Sequence, residues 1–569
     1  MTGTIATDKW DGFPVYDRPL GRATEGTADS RPVVTRTDFS NCTPAQHIGG
    51  TGPGFWNLTD YATDAFSGNL LHAARNAPAP DVELALNVTG WYAVYVWLMG
   101  GDVDLEAQYP RDFNCVYSQS PGPALKLAGD ERFWGQFRTL SHDKMSWPGI
   151  EACFWRYEDL TDKSTLTIRH QGGTVYLAAI QLVPLSAAEV DAVAMQRADR
   201  SQRRMIVKAD QYVPSACDTH LEHLRHSDAC AWIAGCENTA DLMLPAAESN
   251  IGAFCRTMRE ISLEAYVCER PSLWSSNLFH WPDQRARDYE RHPEWHCQDR
   301  DGTHTHTCSY AVPEVAAYML ARARAVAEAG PDGFGYMFNR GEGMVLFEPA
   351  AMAGFEERHG VDPLTLSDRD ERLLAWRGDI VTDFLRQVRQ MLDEVAAEKG
   401  LSRIKMVHIV LGSEAANRFH AFDVAKWVED GLVDVLCPYP WADYPERWLC
   451  QGFVDVDLKY YAQLVRDTAV TLYPMWLSGV WRSHWTPEHV QMKDYFTKAM
   501  RDYADGADGI SAWDLVGLDT AFRANRWLRL GHKEQLDGWA ADDFPLPPIL
   551  RFSRYAGQTP DRYPEGMGG

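Results

Sequence analysis

From residue 205 onward the sequence alternates short apolar runs with amphipathic stretches, and it does so eight times. The runs at 205–210, 241–245, 263–268, 332–339, 404–411, 432–437, 472–477 and 509–513 have strand length, and Gly, Pro or Asp bounds most of them. Helical spacing fills the gaps at 219–232, 250–260, 313–330, 350–360, 370–399, 424–429, 460–468 and 487–504. The stretch 313–330 opens on a proline and closes on a glycine. In 370–399, Ile380, Phe384, Val388, Leu392 and Val395 form one apolar stripe, and Gly400 stops it. Strands that are each followed by a helix pair in parallel, so 205–530 is predicted to be a (β/α)8 barrel of TIM type.

The remainder of the chain has a different texture. Residues 1–30 lack periodicity and read as an irregular leader. Residues 31–186 read as all-β, a sandwich with jelly-roll-like strand spacing. Its clearest strand is Trp91-Tyr-Ala-Val-Tyr-Val-Trp-Leu-Met99, and a glycine turn at 171–173 makes a hairpin. Either a carbohydrate-binding face or a structural wall against the barrel fits this domain. Residues 187–204 read as a linker helix, and 531–569 as a tail that wraps the surface.

Composition narrows the partners. The net charge of −24, from 79 acids against 55 bases, argues against nucleic acid and against an anionic membrane surface. The longest apolar run, 91–99, is too short to span a bilayer. No secretory pattern opens the sequence, and the twelve cysteines include no CxxC pair, so the expectation is a cytoplasmic protein with reduced thiols. No phosphate-binding loop, dinucleotide fingerprint or nucleophile elbow is present, and no cofactor is expected. The 21 tryptophans suit a sugar site, where ring faces stack on C–H faces, and equally suit packing.

The barrel segment carries a recognisable series. It runs His292-Pro-Glu-Trp295, Asp299-Arg-Asp-Gly302, Ser309-Tyr-Ala-Val-Pro-Glu314, Asp332-Gly, Asn339-Arg-Gly341, Phe347-Glu-Pro349, His359-Gly-Val-Asp-Pro363 and Trp427-Val-Glu-Asp-Gly-Leu-Val-Asp434. In this order it resembles the family-10-like glycosyl hydrolases, bacterial (β/α)8 proteins around the α-amylase and α-galactosidase superfamilies. The resemblance covers roughly residues 205–520 and implies a glycoside-active barrel with acids at strand ends. It implies no particular sugar. The chain departs from a common pattern in the wider group, since Asn339 stands where many relatives carry an aspartate on strand four.

Glycoside hydrolysis needs two carboxyl groups, one protonating the leaving oxygen and the other attacking the anomeric carbon or activating water. Acids just past strands are therefore the candidates. Glu414 follows strand five, where the α-amylase-like layout implies the acid/base. Its plainer reading is a first-turn helix acid. Glu342, between two glycines, and Glu348, before Pro349, lie in the loop after strand four and compete for the second role. Asp514 follows strand eight. For substrate binding the candidates are Asn339, Arg340, Asp210, Glu269, Arg270, Tyr439, Trp441, Trp476, Trp481 and Trp513, all at or after strand ends. His220, His223 and His226 share a helical spacing, and His292, His296, Cys297, His304, His306 and Cys308 crowd one insert. Neither group has standard zinc spacing, and no metal is assigned. The expected activity is hydrolysis of oligosaccharides or small glycosides, with exo action favoured. A sugar lyase or isomerase using a Tyr or His base, and a carbohydrate-binding protein without turnover, are the alternatives.

Overall fold

The computed structural model describes residues 31–50, 52–74, 77–99, 122–135, 137, 149–209, 218–235, 250–272, 274, 284–339, 343–440, 456–477, 492–513, 529–541 and 549–560. Its centre is a parallel sheet of nine strands. In chain order these are β1 (Met205–Ala209), β2 (Ala229–Gly235), β3 (Glu264–Glu269), β4 (Gly333–Tyr336), β5 (Lys405–Leu411), β6 (Val435–Tyr439), β7 (Thr471–Leu472), β8 (Met475–Leu477) and β9 (Ile510–Trp513). Their spatial order is β7-β6-β5-β4-β3-β2-β1-β9-β8. The two edge strands are consecutive pieces of one run, parted only by Tyr473 and Pro474. The Tyr473 N–H donates to the Leu436 carbonyl and the Ser511 N–H to the Pro474 carbonyl, so both edges of the sheet fall on this single stretch. Proline has no N–H to give a ladder, which suits an interruption here.

Successive side chains on a strand face opposite ways. One set, including Ile206, Ile233, Tyr266, Cys268, Met337, Val407, Ile409, Val435, Cys437, Met475 and Trp513, makes a core inside the curl. The other set, including Val207, Trp232, Val267, Phe334 and Leu436, packs against the helices. With both faces buried, the strands are mostly apolar.

The second strand differs from expectation. It is β2, which overlaps the end of the stretch read as helix at 219–232 and runs past it to Gly235, whereas 241–245 lies outside the described residues. The helix here, Asp218–Arg225, is short. The strand that follows is Ala-Cys-Ala-Trp-Ile-Ala-Gly, whose small residues conceal a buried strand. Strand seven is split into β7 and β8 by Pro474. The long helix Glu371–Lys399 is as expected, capped by Asp370 and ended by Gly400 at φ +68°.

Strand β4 lies against β5 unusually closely. The Tyr336 N–H donates to Nδ1 of His408 at 3.2 Å, and the other ring nitrogen of His408 meets the Leu432 carbonyl at 3.1 Å. An N–H on one side and a carbonyl on the other fix the neutral ring with its proton on Nε2. Burial pushes the His408 pKa down to about 4. The unfolded chain takes up this proton near pH 6.5, so the stabilisation is complete above that pH. It falls by about 3 kcal/mol as the pH drops to 4. Urea unfolding of the wild type and His408→Gln checks this: their stability difference should shrink by that amount between pH 7 and pH 4. A flat difference would mean that His408 is not a buried neutral ring.

The N-terminal region contains a seven-stranded antiparallel sheet and a three-stranded one, Val82–Ala85, Thr165–Arg169 and Ala124–Leu127. Leu84, Leu125 and Ile168 of the smaller sheet share a core with Val94, Val96, Trp155 and Ile180 of the larger. The C-terminal segment does not simply wrap the surface. Ile549–Tyr555 is a strand of the larger sheet, between Asn57–Thr63 and Gly149–Asp159, with Phe552 buried. The linker helix is Ala187–Ala198, opened by a reciprocal Ser186–Glu189 capping box. Trp134 of this region stacks at 5.2 Å on His226, just past the helix Asp218–Arg225, and Arg132 lies 3.6 Å from Glu222 of that helix. Burial among arginines pushes the His226 pKa well down. No helix among the described residues is long and apolar enough to cross a membrane.

Candidate functional site

Parallel α/β sheets place their chemistry at the C-terminal strand ends. Inward-facing side chains converge there. Lys208 near the end of β1 pairs in register with Trp513 at the end of β9. Its Nζ lies 3.4 Å from the centre of the Trp513 ring. Arg270, just past β3, brings its guanidinium carbon to 5.8 Å from the same ring. Both distances fall within cation–π range. Tyr439, at the end of β6, meets Trp513 edge to face at 4.8 Å. Asn339 stands three residues past the end of β4. All five residues are buried.

The chain after Arg270 is anchored. The carbonyl of Pro271 accepts from Trp274 Nε1 at 3.0 Å and from the Tyr310 hydroxyl at 3.1 Å. Asn339 is different, because neither its amide nitrogen nor its amide oxygen has a hydrogen-bond partner although it is fully buried. An unsatisfied buried polar group costs about 1–3 kcal/mol. A ligand that both donates and accepts would remove that cost. The indole, phenol, amide and two cations together can stack on a ring and hydrogen-bond its substituents.

Other anticipated residues stand elsewhere. Glu269, one residue before Arg270, faces the helices and forms a buried ion pair with Arg322 of the helix Pro313–Glu328. Trp476 also faces outward and donates to Asp502 Oδ2 at 2.8 Å. Burial pushes the Asp502 carboxyl up. Glu348 is buried as the N-cap residue of the helix Pro349–His359. It accepts from the Ser309 hydroxyl, from the Leu346 N–H at 3.1 Å and from the Gln298 N–H at 3.4 Å. These bonds tie the hairpin His296–Gln298/His304–Cys308 to the loop after β4. Glu414 begins the short helix Glu414–Phe419, capped by Ser413; its side chain is 48% exposed and 3.9 Å from Arg418. Asp210, Arg340, Glu342, Trp441, Trp481 and Asp514 lie outside the described residues.

In the insert, His296 stacks on Tyr289 at 3.7 Å and its Nδ1 is 3.0 Å from Nδ1 of His304. Among the described residues no group of three potential ligands could hold a metal ion. Lys208 was not anticipated. A charged residue inside the apolar run Met-Ile-Val-Lys-Ala was the signal that could have found it.

No family model matches the chain, and no curated protein matches it by sequence. Among solved structures it is similar to the catalytic domain of β-amylase from Paenibacillus polymyxa, at 9% identity and a TM-score of 0.42, over 60% of this chain and 99% of that one. The PgaB glycoside hydrolase domain from Bordetella bronchiseptica gives 11% identity and 0.38, over 60% and 99%. The α-galactosidase from Thermus thermophilus gives 10% and 0.33, over 88% and 98%. These structural neighbours are glycoside hydrolases.

Proposed function

We propose that the chain is a glycoside hydrolase built on a closed (β/α)8 barrel, with an N-terminal β-sandwich and with its substrate held at the C-terminal end of the barrel. The observation that carries this reading is the buried, unpartnered Asn339 amide just past β4, with Trp513 and Tyr439 in contact at the ends of β9 and β6. A sugar supplies what these groups lack, namely an apolar ring face and hydroxyls that give and take hydrogen bonds. Asn339, Arg270, Tyr439 and Trp513 bind the substrate in this reading, with Arg340, Trp441 and Trp481 as further contacts.

The carboxylate pair to test first is Asp514 with Asp210. In sequence Asp514 directly follows Trp513, and Asp210 stands two residues after Lys208. Those two neighbours are in register and in contact. Glu342 and Glu414 are the next candidates, Glu414 ranking lower because it begins an outer helix and is half exposed. Oligosaccharides or small glycosides remain the substrate class, with exo action favoured.

Turnover of 4-nitrophenyl glycosides and of unactivated disaccharides tests the assignment. Asp210→Asn and Asp514→Asn should each lower kcat/KM about 10³-fold on the unactivated substrates. The variant that removes the acid should keep more activity on nitrophenyl glycosides, whose leaving group needs no proton. Glu414→Gln should stay within about threefold of wild type. Full turnover in Asp210→Asn, Asp514→Asn, Glu342→Gln and Glu414→Gln alike would sink the carboxylate mechanism. A second reading is a sugar lyase with Tyr439, packed edge to face on Trp513 at the strand ends, as base. An unsaturated product absorbing in the ultraviolet distinguishes it.

A further inference from the structure

Two imidazoles meet across the hairpin His296–Gln298/His304–Cys308, with Nδ1 of His296 3.0 Å from Nδ1 of His304. The far nitrogen of His296, Nε2, lies 2.7 Å from the Tyr289 carbonyl. A carbonyl only accepts, so in the neutral ring Nε2 carries the proton and Nδ1 keeps a lone pair. A histidine that binds a metal is held in the same way, its other N–H given to a carbonyl or carboxylate. The far nitrogen of His304 lies 3.5 Å from the Gln298 side-chain amide. The two ends of that amide exchange by a half-turn. Its oxygen can then take a proton on His304 Nε2, which leaves a second Nδ1 lone pair facing the first. Without an ion, that proton sits on His304 Nδ1 and bridges the rings. The pair is also fixed in place. Tyr289 lies flat on His296 at 3.7 Å, and its hydroxyl donates to the Thr305 carbonyl at 2.6 Å. His296 is buried and His304 is exposed, so the pair opens to solvent on one side.

We propose that His296 and His304 chelate one divalent transition-metal ion through their Nδ1 atoms, and that the ion clasps the hairpin. With metal–imidazole bonds of about 2.0–2.1 Å, nitrogens 3.0 Å apart subtend about 90–100° at the ion. That is the angle between adjacent positions of a square or octahedral set, as Ni2+ and Cu2+ adopt, and it is narrower than a tetrahedral zinc site asks. Two protein nitrogens do not close the shell, and water fills the other positions. The net charge of −24 draws cations toward the chain. The clasp reaches beyond the hairpin, because the Gln298 carbonyl accepts from the Phe347 N–H at 2.9 Å and so holds the loop after β4. None of these residues belongs to the strand-end cluster, so the sugar-binding reading stands or falls separately.

Calorimetry with Ni2+, Zn2+ and Mg2+, on the full chain freed of metal by a chelator, tests the proposal. Ni2+ should bind one per chain and more tightly than Zn2+, and Mg2+ should not bind. His296→Gln and His304→Gln should each weaken Ni2+ binding by about tenfold or more, the least that losing even an outer partner of a ligand costs. His292→Gln, a neighbouring histidine outside the pair, should bind as the wild type does. Ni2+ should also raise the urea midpoint of the wild type and leave that of His304→Gln where it is. If His296→Gln does not fold, the exposed His304 still decides. Wild-type Ni2+ affinity in His304→Gln overturns the site. An equal loss in His292→Gln and His304→Gln also overturns it, as coordination by surface histidines in general. Tighter binding of Zn2+ than of Ni2+ overturns the square or octahedral geometry.

Discussion

Gly335→Ala is expected to yield no stably folded parallel sheet. A Cβ at this position would stand 1.6 Å from the carbonyl oxygen of Val407 and 2.5 Å from its carbonyl carbon. Backbone atoms cannot swing aside as a side-chain tip can, so β4 would have to leave β5. That would break the pairing of Phe334 with Met406, the bond from the Phe338 N–H to the Ile409 carbonyl at 2.7 Å, and the bond from Tyr336 to His408. The cost is about 4–5 kcal/mol or more, the range reserved for a named steric or network failure. Gly360→Ala is the control. Gly360 ends a helix at φ +63° with nothing within 4 Å of the added carbon, and its replacement should cost about 1 kcal/mol. Soluble yield, circular dichroism and urea midpoints compare the two. A wild-type midpoint for Gly335→Ala would show that the strands do not approach as described.

Arg322→Met should destabilise the barrel by about 3–5 kcal/mol, because it removes the ion-pair partner of a Glu269 carboxylate that has no exposed surface. The pair need not be a large net stabiliser. Replacing both partners by apolar residues of similar volume, Glu269→Leu with Arg322→Met, should recover most of the loss. Denaturant titration with an unchanged m-value reads the effect as stability rather than altered compactness. The outcome also bears on catalysis. If Arg322→Met costs less than about 1 kcal/mol, the ion pair does not hold Glu269, and Glu269 returns to the candidate site residues.

These two positions show where sequence reasoning carries and where it stops. The alternation of strands and helices, the stop at Gly400 and the capping residues are local, and they are written in periodicity and in single residues. Strand β2 escaped because Ala, Cys and Gly give a weak strand signal next to a helix. Which strand-end residue faces the mouth was not legible either. In a sheet buried on both faces the residues show no polar alternation, so nothing in the sequence separates Glu269 from Arg270, or Trp476 from Trp513. A parity step of one residue sends the first of each pair to the helices and the second to the interior. The unsatisfied amide of Asn339 likewise exists only once the fold has removed water from around it.

By itself, then, the sequence determined a parallel strand–helix array preceded by a β-rich region, because hydrophobic periodicity and helix punctuation are properties of neighbouring residues. Tertiary structure alone decided that Ile549–Tyr555 returns to the N-terminal sheet. It alone decided that Lys208 meets Trp513 across some 300 residues of chain, and that Glu348 is held in a structural network. Each of these depends on contacts between residues far apart in the chain, whose free energy appears only when the sheet curls and buries both of its faces.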